Sequence, residues 1–400
     1  MSTLRMQGCD LRDPDRPRQD VTLFPAEPGA VLFCPRSQNL HALNGAAALI
    51  WAGLVEGLQA EDVIGALTAA GAPEDEAGGW YADTIAMFRL NGLLAGTEPP
   101  PAPAVRVKGF GDGGLTYRFD NPAGRRWRLK LAGVRVDLEI GDSPLADVVA
   151  PLFAPLAAAA DDGAPAATLR ADKGEVKWLV LRDGRIAVEG ESAGDIAREL
   201  ETGLMRMALE SPDYLVAFRA ALMLRHGRGL LLTGPQGSGK SMLAAGLMHR
   251  GWRFGGDELA LFSPDEPALR AVAKSLRVNR SGWAMLEPMF PQLADAPVYG
   301  SADKPVRALL PVGEIVESAP VRHVVFCRYR PGARSRLEEI SRADGLQGLF
   351  ANCAAVSRRL EPGDIVSLLE WSRNVAFHRL TAADLPGSLD LLETIGRQGS

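Results

Sequence analysis

The chain has 400 residues and a formal net charge of −5, too long for one ordinary core and mildly acidic, so two or three modules are expected and nucleic acid is not a natural partner. Its densest basic cluster, Arg125, Arg126 and Arg128 around Trp127, is short and reads as a solvated strand face. Cys9, Cys34, Cys327 and Cys353 show no C-x-x-C spacing, which argues against a disulfide framework and fits a reducing cytoplasm.

Residues 1–19 are charged, hold Pro14 and Pro17, and have no periodicity, so a loose arm is expected there. Met1 to Pro17 also lacks the apolar core of a signal peptide. From residue 20 the pattern changes. Ala30 to Phe33 and Asn39 to Leu43 read as a hairpin around Pro35-Arg36-Ser37-Gln38. Asn44 then caps a helix over Ala46 to Leu54, and further helices are expected over Ala60 to Ala70 and near Glu74 to Asn91, stopped by Gly92. The proline-rich run at 98–105 is a stiff linker that ends a module spanning 20–97.

Beyond the linker, Arg128 to Ile140 alternates like a strand with a phase change at Gly133. The apolar stretch Val148 to Ala160 is shorter than the roughly 20 residues of a bilayer span and is broken by Pro151 and Pro155, so a soluble protein without a membrane partner is expected. Val176 to Val188 repeats strand, turn and strand around Asp183-Gly184, and Ala193 to Leu209 is helical in spacing. Nothing in this mixed α and β region, 106–215, announces chemistry; it reads as a flank completing the sheet of the module that follows.

That module, 216–395, carries the chemical signal. An apolar strand, Gly229 to Thr233, leads into Gly234, Pro235, Gln236, Gly237, Ser238, Gly239, Lys240 and Ser241, and a helix pattern follows over Met242 to Arg250. Strand, G-x-x-x-x-G-K-S and helix make a phosphate cradle: glycines let backbone amides turn inward, and the helix start adds partial positive charge. Lys240 would face the β and γ phosphates of ATP and the Ser241 hydroxyl would ligate Mg²⁺. The helical steps from Lys240 to Arg250 advance about 15 Å and the extended steps from Trp252 to Asp257 return about 17 Å. Asp257 and Glu258 should therefore land beside the phosphates, one to hold metal and the other to accept a proton, if Gly255-Gly256 kinks the strand enough for both to reach.

Here the carboxylates precede their apolar run, Leu259 to Phe262, whereas in common phosphate-loop ATPases the second acidic residue tends to close a later strand. Leu230 to Ser241 followed by Arg250 to Phe262 resembles the HPr serine kinase family, whose catalytic domain shares its fold with phosphoenolpyruvate carboxykinase. The resemblance is clear over about 215–265 and weaker to 395. It implies an α/β phosphate-loop domain that transfers phosphate from ATP with Mg²⁺ to a serine or threonine hydroxyl. Gly234, Gly239, Lys240 and Ser241 match its nucleotide and metal loop, Asp257 its catalytic carboxylate, and Glu258 the acidic neighbour. Fifteen positions ahead of Gly234, where that family carries a histidine, stands Arg219, which puts in doubt both the reverse reaction and HPr as substrate. His226, in a His-Gly-Arg-Gly turn, reads as surface; Lys274, Arg277, Arg307 and Arg328 are either phosphate contacts or solvated charges.

Residues 20–97 resemble the PqqD-like winged-helix domains that hold leader peptides, through Leu40 to Trp51 and Leu90 to Leu94. Such domains accept a peptide as an added strand, which implies a precursor peptide or small protein as partner. Leu43, Leu49 and Trp51 are expected in the core. The combined expectation is a peptide-tailoring serine or threonine kinase. Beside it stand an ATP-dependent peptide chaperone that transfers no phosphate, a small-molecule hydroxyl kinase with a regulatory front domain, and, for assembly, a homo-oligomer.

Overall fold

A computed structural model describes residues 15–102, 110–111, 114–122, 124–158 and 163–397. Most of the expected arm, 1–14, and the linker residues 103–105 lie outside the described residues. The chain is mixed α/β and divides into two compact units. Among the described residues no helix is long and apolar enough to cross a membrane.

The first unit joins residues up to 104 with 340–351 and 359–373. Strands β1 (Thr22–Ala26), β2 (Gly29–Cys34) and β3 (Asn39–Leu43) form an antiparallel sheet with β2 in the middle. The expected hairpin turns at Pro35 to Gln38, where Gln38 takes φ 57°. Asn44 caps α1 (Gly45–Glu56) by accepting from the Ala47 amide at 2.8 Å, which satisfies a donor the helix leaves unpaired. α2 (Ala60–Ala69) and α3 (Glu74–Leu90) follow, and Trp51 meets Phe88 edge-on at 5.1 Å in a core that holds Leu43 and partly buries Leu49.

The same unit takes in helices Arg342–Ala351 and Pro362–Ser372, which the expected division at 97 had left with the other module. A three-stranded sheet exposes unpaired backbone along both edges, and these helices cover them. The Gln347 side chain accepts the Ala42 amide of β3 at 2.7 Å. Buried Gln38 donates to the Leu360 carbonyl at 3.2 Å and accepts the Leu360 amide at 2.6 Å.

The second unit joins 105–339, 352–358 and 374–400. Its first sheet holds β4 (Arg125–Leu131), β5 (Val134–Ile140), β6 (Ala167–Lys173), β7 (Trp178–Arg182) and β8 (Arg185–Gly190) in sequence order. The flank thus builds a sheet of its own instead of extending its neighbour's. Helices α4 (Pro144–Phe153) and α5 (Ala193–Ala208) pack on it, and residues such as Leu138, Val149 and Leu204 share one core with Leu261 and Val272. The basic cluster is a paired surface: Arg125 meets Asp147 at 3.0 Å, Arg126 meets Glu139 at 3.0 Å and Arg128 meets Asp137 at 2.8 Å. Exposed pairs of this kind add little stability.

The remaining strands are β9 (Val216–Phe218), β10 (Ala220–Arg225), β11 (Arg228–Thr233), β12 (Arg253–Gly256), β13 (Ala260–Phe262), β14 (Leu269–Ala271), β15 (Leu276–Asn279), β16 (Val298–Tyr299), β17 (Val306–Leu309), β18 (Ser318–Ala319), β19 (Val321–Tyr329), β20 (Arg336–Ile340), β21 (Cys353–Val356) and β22 (Ala376–Ala382). Their central sheet runs β12-β10-β11-β19-β22-β20, with β11, β19 and β22 mutually parallel. A second runs β18-β14-β13-β9-β21 and a third β15-β17-β16. Helix α6 (Lys240–His249) and the helix Leu385–Arg397 pack closely over the central sheet, since a Cβ at Gly246 would stand 2.6 Å from Leu389 Cδ1.

On this sheet His323 Nδ1 and His378 Nε2 lie 3.2 Å apart. Burial lowers both pKa values, and the charge of His378 helps push His323 to about 4. The unfolded chain takes up protons near the ordinary 6.5 while the folded pair does not, so stability is full above that pH and is lost as pH falls toward about 4. His323→Gln should flatten this decline, read as the melting temperature from pH 7 to pH 4.5 against the parent; parallel curves would show that the pair is not its source.

Candidate functional site

The site begins where β11 ends. Thr233 donates its hydroxyl to the Arg219 carbonyl at 3.1 Å, and the chain then leaves the sheet. Gly234 has φ 142° and a Cβ there would stand 2.7 Å from the Cys327 carbonyl oxygen, so position 234 excludes a side chain on both counts. Gly239 takes φ 92° as the residue before α6. Pro235, Gln236 and Gly237 form an exposed crest and Ser238 is buried. Lys240 donates to the Gly234 carbonyl at 2.7 Å, the Pro235 carbonyl at 3.0 Å and the Ser238 hydroxyl at 3.4 Å, and its partial burial lowers its pKa.

The strand running back from α6 brings the carboxylates to the loop. Ser241 donates to Asp257 Oδ2 at 3.1 Å. Gly256, at φ 151°, supplies the kink that the sequence required: Asp257 Oδ1 and Glu258 Oε2 both face Lys274 Nζ, at 3.5 and 3.3 Å, where neighbouring residues of a regular strand would diverge. Lys274 is 2% exposed and its closest partner is Glu201 Oε1 at 2.7 Å. Arg277 reaches Glu201 Oε2 at 3.5 Å and Glu258 Oε1 at 3.6 Å, and the Tyr299 hydroxyl donates to Glu201 Oε2 at 3.4 Å.

This cluster sets the two carboxylates apart. Burial pushes the Asp257 pKa up; the Lys274 charge opposes that and the Glu258 charge adds to it, leaving Asp257 above the usual carboxylate range. Burial pushes Glu258 up as well, but Lys274 and then Arg277 outweigh it and hold Glu258 below its ordinary value. Desolvation works against the Lys274 charge, yet Asp257, Glu201 and Glu258 together keep that lysine firmly protonated. Asp257 is therefore the better proton acceptor of the pair and Glu258 the more persistent anion.

The residues also fit a hard cation. Asp257 Oδ1 is buried with no hydrogen bond and only the Lys274 ammonium at 3.5 Å before it, and the Ser241 hydroxyl stands against the other oxygen of the same carboxylate. Among the described residues no group of three histidine, cysteine, aspartate or glutamate side chains could hold a metal. An ion held by one carboxylate, one hydroxyl, waters and phosphate oxygens is the arrangement magnesium favours.

Of the other positions, Lys274 and Arg277 join the site. Arg219 is close enough to bear on the charges of Lys240 and Glu258. Arg307 instead pairs with Glu287 at 2.8 Å and stacks on Trp283 at 4.2 Å, while Arg328 and His226 are exposed. Sequence reading missed Glu201 and Tyr299. The signal for Glu201 was present: it falls on the buried stripe of α5 with Ala197, Leu200, Leu204 and Ala208, where an unpaired charge would be costly.

The first unit carries its own concavity, a groove of about 390 Å³ between the end of β3 and α3, lined by Ala42, Asn44, Trp80, Asp83, Thr84 and Met87. Trp80 is 38% exposed there.

No family model and no curated protein matches the chain. Among the solved structures similar to parts of it are two that differ in the share they cover. One is TbiB1 in complex with the TbiA(beta) leader peptide, 19% identical over 21% of this chain and 98% of that one, with a TM-score of 0.19. The other is the HPr(Ser) kinase/phosphatase from Coxiella burnetii, 12% identical over 46% of this chain and 99% of that one, with a TM-score of 0.23.

Because Lys274 is the shared ion-pair partner of three carboxylates, its loss should cost more than the loss of any one of them. Lys274→Met is expected to lower unfolding free energy by about 3–5 kcal/mol and Glu201→Gln by less. Urea unfolding of both variants gives the order, and a larger cost for Glu201→Gln would contradict the shared-lysine picture.

Proposed function

We propose that the second unit is an ATP-dependent kinase of the HPr-kinase-like type and that it phosphorylates a serine or threonine hydroxyl of a peptide or small protein held by the first unit. The observation that carries this reading is the meeting of Ser241 and Asp257 at 3.1 Å beneath a loop that glycines hold open. A hydroxyl, a buried carboxylate and a lysine on one phosphate-sized loop suit phosphoryl transfer.

In this reading Lys240 gives up its loop carbonyls and faces the β and γ phosphates of ATP, while Ser241 and Asp257, with Glu258 beside them, would hold Mg²⁺. The cation supplies charge neutralisation on the phosphate oxygens. Asp257 takes the proton of the acceptor hydroxyl as its oxygen bonds to the γ phosphorus, and the bond from that phosphorus to the bridging oxygen breaks to leave ADP. Glu201 keeps Lys274 from drawing fully onto Asp257, and Arg277 adds positive charge where phosphate passes.

Two substitutions test the transfer site. Lys240→Ala should weaken MgATP binding and end turnover. Asp257→Asn should still bind nucleotide but slow transfer on the order of 10² to 10⁴. Both are read with γ-labelled ATP and arrays of peptides that present serine and threonine. Label recovered only as inorganic phosphate would leave a nucleotide-driven peptide-binding module in its place, and label in a small molecule a metabolite kinase.

The groove beside α3 is the proposed peptide site. Gln347 already takes the Ala42 amide, so an added strand on β3 has to displace that side chain or settle against Trp80 and Met87 instead. Residues 1–97 do not complete the first unit, so the test uses the whole chain. Trp80→Glu should raise the KM for peptide roughly tenfold or more while leaving kcat and nucleotide affinity unchanged. An unchanged KM would move peptide recognition elsewhere.

A further inference from the structure

We infer that Tyr329 is the platform of a nucleobase subsite beside the glycine loop, so that the site takes a nucleoside polyphosphate in preference to a bare polyphosphate. The inference rests on the phosphate-loop reading above and adds to it the chemistry of the ligand's other end.

Parallel pairing puts Thr233, the last residue of β11, opposite Phe326 of β19. β11 then gives way to the loop, while β19 runs on through Cys327 and Arg328 to Tyr329. This overhang flanks the loop. A Cβ on Gly234 would meet the Cys327 carbonyl at 2.7 Å, and a Cβ on Gly239 would lie 4.0 Å from Tyr329 Cβ. Val325 and Cys327 point into the core beneath α6, and strand alternation sends Tyr329, two residues further on, to the same side. The tyrosine therefore stands against the glycine from which α6 starts.

Its mount is rigid but its side chain is not covered. Tyr329 pairs with Ala382 of β22, and the next amide, Arg330, donates to the Ala382 carbonyl at 2.8 Å, yet Tyr329 is 52% exposed. Exposed Arg328 and Arg330 flank it. An exposed aromatic mounted on a strand ladder beside a glycine loop offers a flat apolar face with only two side-chain torsions to fix, which suits stacking on a planar base.

Sheet order supplies the direction. In β12-β10-β11-β19 the strand leading into Asp257 lies on one side of β11 and Tyr329 lies on the other. A phosphate chain threaded along the loop with its transferable end at Asp257 leaves its nucleoside on the β19 side. The two ends of the ligand are thus assigned by topology to opposite sides of β11.

The test is calorimetric titration of the intact protein with MgATP and, separately, with magnesium tripolyphosphate, which keeps the phosphates and lacks the base. Tyr329→Ala should weaken MgATP by on the order of tenfold and change tripolyphosphate by less than about twofold, while Tyr329→Phe keeps MgATP affinity near that of the parent. Unfolding midpoints of the variants confirm that the fold is kept. No loss for MgATP with Tyr329→Ala, or equal losses for both ligands, overturns the subsite and leaves the phosphate loop standing. Parent protein that binds neither ligand overturns the loop reading and the subsite with it.

Discussion

A single buried ammonium organises the second unit. Lys274 has almost no contact with water and faces Glu201, Asp257 and Glu258 within 3.5 Å. Three carboxylates cannot be brought so close in a dry site without a cation between them, and a lone ammonium could not be buried there without them. The four come from three local contexts: α5 of the flank, the two residues after β12, and the segment leading into β15. The lysine therefore ties the flank's sheet to the loop-bearing sheet, and the same contact that closes the core differentiates the proton affinities of Asp257 and Glu258.

That coupling explains why the flank has no motif of its own and still bears on the chemistry. α5 presents an apolar stripe to the shared core, and one place on the stripe is given to Glu201. An acid at such a place is stable only with partners, and Lys274, Arg277 and Tyr299 are those partners. Exchanging Glu201 for a hydrophobic residue would suit α5 considered by itself, yet would leave Lys274 closer to full pairing with Asp257. The helix tolerates a costly burial because of what it does for a neighbouring sheet.

The first unit solves a different problem by similar means. A three-stranded sheet with three helices is small, and its strand edges invite further pairing. Segments from far along the chain act on it: Gln347 closes the β3 edge at Ala42, and Leu360 pairs with the buried Gln38 side chain in the β2–β3 turn. Both use side-chain amides, which can donate and accept at once and so satisfy backbone groups without a full strand.

Local physics was legible in the sequence. Asn44 at a helix start, the Asp183-Gly184 turn and the glycines of the loop each fix their own backbone, and each stands where pattern placed it. The return of Asp257 to Ser241 was also legible, because rise per residue is a property of the backbone and the two elements are short. What the sequence alone left undecided was every relation made across hundreds of residues. It did not say that 106–215 would form a separate sheet, that helices near 342 and 362 would complete the first unit, or that Glu201 would meet Lys274. Propensity, capping and turn chemistry act over a few residues and are written into them. Burial of a charge and closure of a sheet edge depend on which distant side chain arrives, and only the packed tertiary structure decides that.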